Sequence, residues 1–234
     1  MTDTSSRATV VLVHGAWADG SSWGRVIARL QARGIPVVAV QNPTSSLADD
    51  VAATQVALAS VEGPVVLAGH SWGGTVITEA GNDPQVKALV YVAAFAPDAG
   101  QSTGDQVAAH PAPPGLGGVQ DDGRGHLRMS AESWVANVAQ DLPEAEARVL
   151  AALQPPLGLA TFGDKVSRPA WAERPNWYVV STEDRAVSVE LQRELATKMK
   201  ARTKELRASH VSILSQPEAV ADVILDAVTE VSAG

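Results

Sequence analysis

The residues best placed to do chemistry lie in Gly69-His70-Ser71-Trp72-Gly73-Gly74. This run directly follows the apolar stretch Pro64 to Ala68 and opens the helical stretch Thr75 to Ala80, which predicts a sharp strand-to-helix turn with a serine at its apex. Side chains at Gly69 and Gly73 would collide across such a turn. The turn exposes the Ser71 hydroxyl and sets it at a helix N-terminus, where free backbone N–H groups favour developing negative charge. The chemistry is nucleophilic attack by Ser71. Glycines around a serine also make ordinary turns, and it is the placement between strand and helix that favours the nucleophile.

A serine nucleophile needs a base and a group to orient that base. Of the five histidines, His210 alone lies beyond residue 126, in Ser209-His210-Val211, between the last short strand and the terminal helix. That position is a loop at the carboxyl edge of a sheet. His14 and His70 belong to glycine motifs and read as structural, whereas His110 and His126 read as solvated. For the acid, Asp184 leaves the strand that ends in Val179-Val180 and would hold the His210 imidazole in the required tautomer. Glu183, adjacent, and Asp98, a turn residue after Pro97, are its rivals.

These residues need a frame. Strands are expected at Thr9 to Val13, Pro36 to Val40, Pro64 to Ala68 and Leu89 to Ala94, each a nearly continuous apolar run, as in a parallel sheet covered by helices on both faces. Trp23, Val26, Ile27 and Leu30 fall at helical spacing, as do Leu47, Val51, Leu58 and Val61, with Ser46 and Asp49 capping the second helix. From about Pro97 to Arg174 the β-branched runs vanish and Pro and Gly become frequent. Trp134, Val138, Val149, Leu150 and Leu153 there suggest short helices in an inserted cap. The domain reading is a core of residues 1–97 and 175–234 with a cap of 98–174. Strand-helix alternation returns with Trp177 to Val180, a helix over Leu191 to Met199, a strand near Lys204 to Arg207, and a last helix with Ser215 and Glu218 as a capping box.

Composition narrows the function. The chain has 234 residues, 45 % of them apolar, no cysteine and a net charge of −8. That excludes thiol nucleophiles and cysteine-based zinc sites, and disfavours nucleic acid and anionic membranes as partners. The basic stretch Lys198 to Arg207 alternates with other residues and reads as a solvated face. Met1 to Arg7 is polar, and Ala8 to Val13 is too short for the core of a signal peptide. The expectation is a soluble cytoplasmic protein.

With these motifs in place the chain resembles the α/β-hydrolase superfamily, and within it the small esterases related to plant methyl-ester esterases and hydroxynitrile lyases. The resemblance rests on His14-Gly15-Ala16, Gly69 to Gly74, Thr182-Glu183-Asp184, and Ser209-His210 with Leu214-Ser215-Gln216-Pro217. It implies an α/β fold with a mainly parallel sheet, the chain order Ser71, Asp184, His210, and an oxyanion hole from the backbone N–H groups of Ala16 and Trp72. The lyases carry threonine at the position of Gly15 and lysine at that of Val211, so ester hydrolysis is expected over cyanohydrin cleavage. A ligand-binding protein that kept the fold without turnover is the reading from another class. Trp17, Phe95, Trp134 and Phe162 are expected to line an apolar substrate pocket, with Trp171 a further candidate. Arg124, His126 and Arg128 read as exposed charges rather than an anion site. The substrate expected is a small ester with an apolar portion. The resemblance implies no metal and no cofactor, because the chain supplies nucleophile, base and oxyanion donors, and a homodimer is left open.

Overall fold

The computed structural model describes residues 8–233, so the polar segment Met1 to Arg7 lies outside the described residues. The chain runs β1 (Thr9–Val13), α1 (Gly24–Ala32), β2 (Val37–Ala39), α2 (Leu47–Ala59), β3 (Val65–His70), α3 (Trp72–Ala80) and β4 (Val86–Val92). It continues with α4 (Thr103–Ala108), β5 (Val119–Asp121), β6 (His126–Met129), α5 (Ala131–Ser133), α6 (Glu144–Ala152) and β7 (Leu157–Gly158). It ends with β8 (Asn176–Ser181), α7 (Val189–Lys198), β9 (Arg202–Leu206), α8 (Ser212–Ser215) and α9 (Pro217–Ala233).

Six strands form one sheet in the order β2-β1-β3-β4-β8-β9, and every pairing in it is parallel. Alternate strand residues face opposite layers, which is why the strands read as continuous apolar runs. Val10, Leu12, Val66, Val90 and Val179 pack with α1 and α9, through Val26, Leu30, Val220 and Ile224. Val11, Val13, Leu67, Leu89 and Val180 pack with α2, α3 and α7, through Leu58, Ile77, Leu191 and Leu195. Ser46 caps α2 by accepting from the Asp49 amide, as its sequence predicts. The edge strand β9 exposes Arg202 to Glu205, and these charges discourage a further strand from pairing there.

Two expectations need correction. The stretch 98–174 contains a three-stranded antiparallel sheet, β5-β6-β7, besides its short helices. Its strands are two to four residues long, too short for alternation to register. Ser215 makes no capping box: it closes α8, its buried hydroxyl has no partner, and Glu218 pairs with Arg29 instead. The chain turns once as α8 before α9 begins, so the Ser-x-x-Glu spacing straddles two helices.

Candidate active site

In the sheet order, β1 lies between β2 and β3, so the chain leaves β1 in one direction and β3 in the other. The carboxyl ends of two such strands leave a crevice between their loops. Val13 sits opposite Gly69, which brings the His14 to Trp17 loop against the turn at Ser71. Ser71 follows β3 at φ 53°, ψ −123°, a left-handed conformation that costs a non-glycine residue about 1–3 kcal/mol. The surroundings impose it: the Ser71 amide donates to Val92 O at 3.2 Å, and Ser71 O accepts from Gly74 at 2.9 Å and Phe95 at 3.3 Å. A Cβ on Gly73 would stand 2.4 Å from Val13 O, and one on Gly69 would stand 2.5 Å from Gly73 O. These glycines let β1 and the turn touch backbone to backbone.

His210 and Asp184, 26 residues apart, meet at the same edge, with His210 Nδ1 at 2.7 Å from Asp184 Oδ2. A carboxylate can only accept, so Nδ1 carries the proton and Nε2 is left as the basic nitrogen. Asp184 is itself fixed by three further bonds: the amides of Ala186 and Val187 donate to Oδ1 at 2.8 and 2.9 Å, and Gln192 Nε2 donates to Oδ2 at 2.8 Å. The two rivals are engaged elsewhere. Glu183 pairs with Arg207 at 2.6 Å, and Asp98 pairs with Lys198 at 3.1 Å.

The remaining histidines sort by burial. His70 Nε2–H donates to His210 O at 2.9 Å, so the ring braces the turn that bears His210. Burial, with His210 nearby, pushes the His70 pKa down to about 3, and the ring stays neutral. His14 is likewise lowered by burial; its Nδ1–H donates to Gly15 O and its Nε2 accepts from the Asn42 amide, each at 2.9 Å. His14 is bonded on both nitrogens, whereas His70 also lines the cavity bordered by Ser71 and His210, with its Nδ1 buried and without a partner among the described residues. His126 is half exposed beside Asp122, whereas the His110 side chain is only 15 % exposed and bonds Glu194 at 3.1 Å, so it is not simply solvated.

Among the described residues, the amide N–H groups of Ala16 and Trp72 have no hydrogen-bond partner, and Ser71 Oγ makes no hydrogen bond. Ser71, His210 and Ala16 border one cavity of about 180 Å³. Trp17, Phe95, Trp134 and Phe162 all line it. Trp171 does not: its Nε1 donates to Pro97 O at 3.0 Å and its ring lies under Lys198. Asp19 is the one carboxylate on the wall, and no lysine or arginine is present there, Arg124 and Arg128 included.

Four features of the site were not legible as such. Trp17 adopts φ 56°, an uncommon conformation for a bulky residue, and its indole donates to Leu127 O at 2.9 Å. Gln192, fully buried beside Leu191, Leu195 and Ala196, was visible as a polar residue on the apolar stripe of α7. Asp141 accepts from both the amide and the hydroxyl of Ser209, at 2.8 and 2.5 Å, bracing the residue before His210 from the 98–174 segment. Asp50 is fully buried and accepts from Trp72 Nε1 at 2.7 Å. Neither aspartate had a sequence signal, since the contacts span 68 and 22 residues.

A protein from Phoma sp. named as probable hydrolase R7 is 25 % identical over 249 residues, covering 93 % of this chain and 96 % of its own. Among solved structures, a pyrethroid hydrolase from Sphingobium faniae JZ-2 superposes with a TM-score of 0.80 at 22 % identity, over 95 % of this chain and 97 % of that one. A methylesterase protein from Arabidopsis gives 0.78 at 19 %, over 95 % and 99 %. The sequence profile described as the alpha/beta hydrolase family matches residues 10–223. With that match spanning both halves of the sheet and the segment between them, the chain belongs to the α/β-hydrolase family.

Proposed function

We propose that the protein is a serine carboxylic-ester hydrolase that works through an acyl-enzyme on Ser71. The observation that carries this reading is the His210–Asp184 pair at 2.7 Å, with His210 bordering the cavity that Ser71 also borders. In this reading His210 Nε2 takes the Ser71 proton as Oγ attacks the ester carbonyl. The amides of Ala16 and Trp72 hold the oxyanion, preorganised because nothing else occupies them. His210 then protonates the leaving alcohol and activates the water that releases the acid. Asp184 keeps the imidazole in place throughout, and residues 98–174 act as the cap.

The wall chemistry supports an uncharged ester with an apolar portion, since it offers aromatic rings, one carboxylate at Asp19 and no cation for an anionic group. Two further observations favour hydrolysis over cyanohydrin cleavage. A side chain at Gly15 would stand 2.9 Å from Ser71 Cβ, leaving no room for the lyase threonine, and Val211 supplies no charge beside His210. The test is turnover of p-nitrophenyl butyrate alongside covalent labelling by a fluorophosphonate. Wild-type protein should be labelled on Ser71 and turn over, and Ser71→Ala should lose both, with kcat down by roughly 10⁴-fold or more. Saturable ligand binding without label or product would instead favour a binding protein, and cyanide release from mandelonitrile a lyase.

A further inference from the structure

The carboxylates of Asp50 and Asp184 are both fully buried; Asp184 faces the His210 imidazole, whereas no cation among the described residues faces Asp50. An isolated buried charge is expensive unless hydrogen bonds replace its water. Here the replacement comes from Trp72 Nε1–H on Oδ2 and the Thr44 amide on Oδ1, both at 2.7 Å. Trp72 is also the residue whose own amide stands next to the nucleophile. Its ring is fully buried and meets Phe162 edge-on at 6.2 Å between centroids, and Phe162 lines the cavity. Thr44 ties the same carboxylate outward: it sits at φ 55°, and its carbonyl accepts from the Gly158 amide of β7 at 2.7 Å.

The strained turn explains why such an anchor is useful. Ser71 sits in a conformation its backbone would leave if released, and the peptide between Ser71 and Trp72 carries the N–H that must aim at the oxyanion. Hydrogen bonds fix that peptide from the Ser71 side through Val92, Gly74 and Phe95. On the Trp72 side, the side-chain hydrogen bond is the one made to Asp50. Fixing the indole fixes the side-chain torsions of Trp72 and with them its amide.

We infer that Asp50 is a positioning residue for the oxyanion hole, acting on the Trp72 amide by holding the Trp72 indole. The inference rests on the serine-hydrolase reading. It also predicts a specific energetic signature: losing the anchor weakens binding of the tetrahedral species and leaves ground-state ester binding alone.

The experiment compares wild type, Trp72→Phe, Asp50→Asn and the double variant. Each is assayed for kcat and KM with p-nitrophenyl butyrate, and for inhibition by an alkyl trifluoromethyl ketone, whose serine adduct presents an oxyanion. Trp72→Phe should lower kcat about 10- to 100-fold, with KM within about threefold and the inhibition constant rising in parallel with the loss in kcat. Asp50→Asn keeps one acceptor oxygen and should lose less, and it stands alone as the test if Trp72→Phe fails to fold. The double variant should lose no more than Trp72→Phe, because both changes remove one interaction. Unchanged kcat, a kcat loss without a matching loss of inhibitor affinity, or additive losses would overturn the positioning role. Fluorophosphonate labelling separates the two readings: label on Ser71 of wild type with any of those outcomes removes only the role of Asp50. No label and no inhibition of wild type removes the serine reading and this inference with it.

Discussion

The two halves of the cavity are built in opposite ways. Around Ser71 the walls are backbone: β1 and the turn approach so closely that Gly73 has carbonyl oxygens of Val13 and His14 at 2.4 and 2.7 Å from where a Cβ would sit, and Gly74 has Phe95 O at 2.2 Å. Across the cavity, in residues 98–174, the walls are side chains such as Trp134, Val138 and Phe162. Glycines there at 117, 123, 125 and 163 have nothing within 4 Å. Others in the segment are tight: Gly115 and Gly158 meet Arg185 O and Ser45 O outside it, Gly104 meets Phe162 O within it, and Gly118 meets the Ser133 side chain. In the proposed reading, the reacting groups are held by close-packed main chain, and substrate contact falls to side chains of a segment in which several glycines meet open space.

The sharpest way to break this contrast is a matched pair of glycine substitutions. Gly73→Ala drives a methyl into the carbonyls that end β1, and neither strand nor turn can yield without disturbing Ser71. It should cost roughly 3 kcal/mol or more of stability and abolish turnover. Gly163→Ala meets open space and should stay within about 0.5 kcal/mol. Urea midpoints and p-nitrophenyl butyrate assays read both. Equal effects would mean that the two halves are equally rigid.

A smaller effect probes the backbone half through Asp50. Burial raises its carboxyl from 3.8 to about 6, against the opposing bonds from Trp72 and Thr44. Between those values the folded protein holds a proton that the unfolded chain has released. The contribution to stability is therefore complete below pH 3.8 and is lost as pH rises through 6. Asp50→Asn lacks this dependence. The stability of wild type relative to Asp50→Asn should fall by up to roughly 3 kcal/mol between pH 4 and 7 and level off above that. Urea titrations at stepped pH measure it, and a difference that stays flat would place the Asp50 proton outside the folding equilibrium.

The same contrast explains what the sequence disclosed. Ser71 and Asp184 were legible because each follows a strand with an unmistakable apolar run, and His210 because it is the one histidine beyond residue 126, after a short polar strand; a parallel sheet delivers all such loops to one edge. Gly69 and Gly73 were legible because a backbone contact leaves a glycine behind. The four lining aromatics were also legible, but as candidates alongside Trp171, since nothing in a sequence distinguishes a ring turned to a cavity from one lodged against Pro97 O. The strands β5 to β7 were missed because strands this short carry too few residues for a period. Asp50 and Asp141 were missed for a different reason. An aspartate at the start of α2 or in a loop is an ordinary surface residue until the tertiary fold closes Trp72 over one and Ser209 over the other.

The smallest effects lie on the side-chain half, where two rings on one wall should behave differently. Trp134 lines the cavity and makes no ring contact with the elbow, whereas Phe162 meets both Trp17 and Trp72 edge-on, at 6.0 and 6.2 Å between centroids. Trp134→Leu removes apolar surface that the ester and its transition state should contact alike. KM should rise about threefold to tenfold, with kcat within about twofold. Phe162→Leu loosens the packing against Trp72 as well, so kcat should fall with it, by about threefold to tenfold. Steady-state kinetics on p-nitrophenyl esters of increasing acyl length separate the two, because the Trp134 effect should grow with chain length and the Phe162 effect on kcat should not. If both variants changed KM alone, Phe162 would belong wholly to the side-chain half, and the seam between substrate contact and oxyanion geometry would have to run through Trp72 itself.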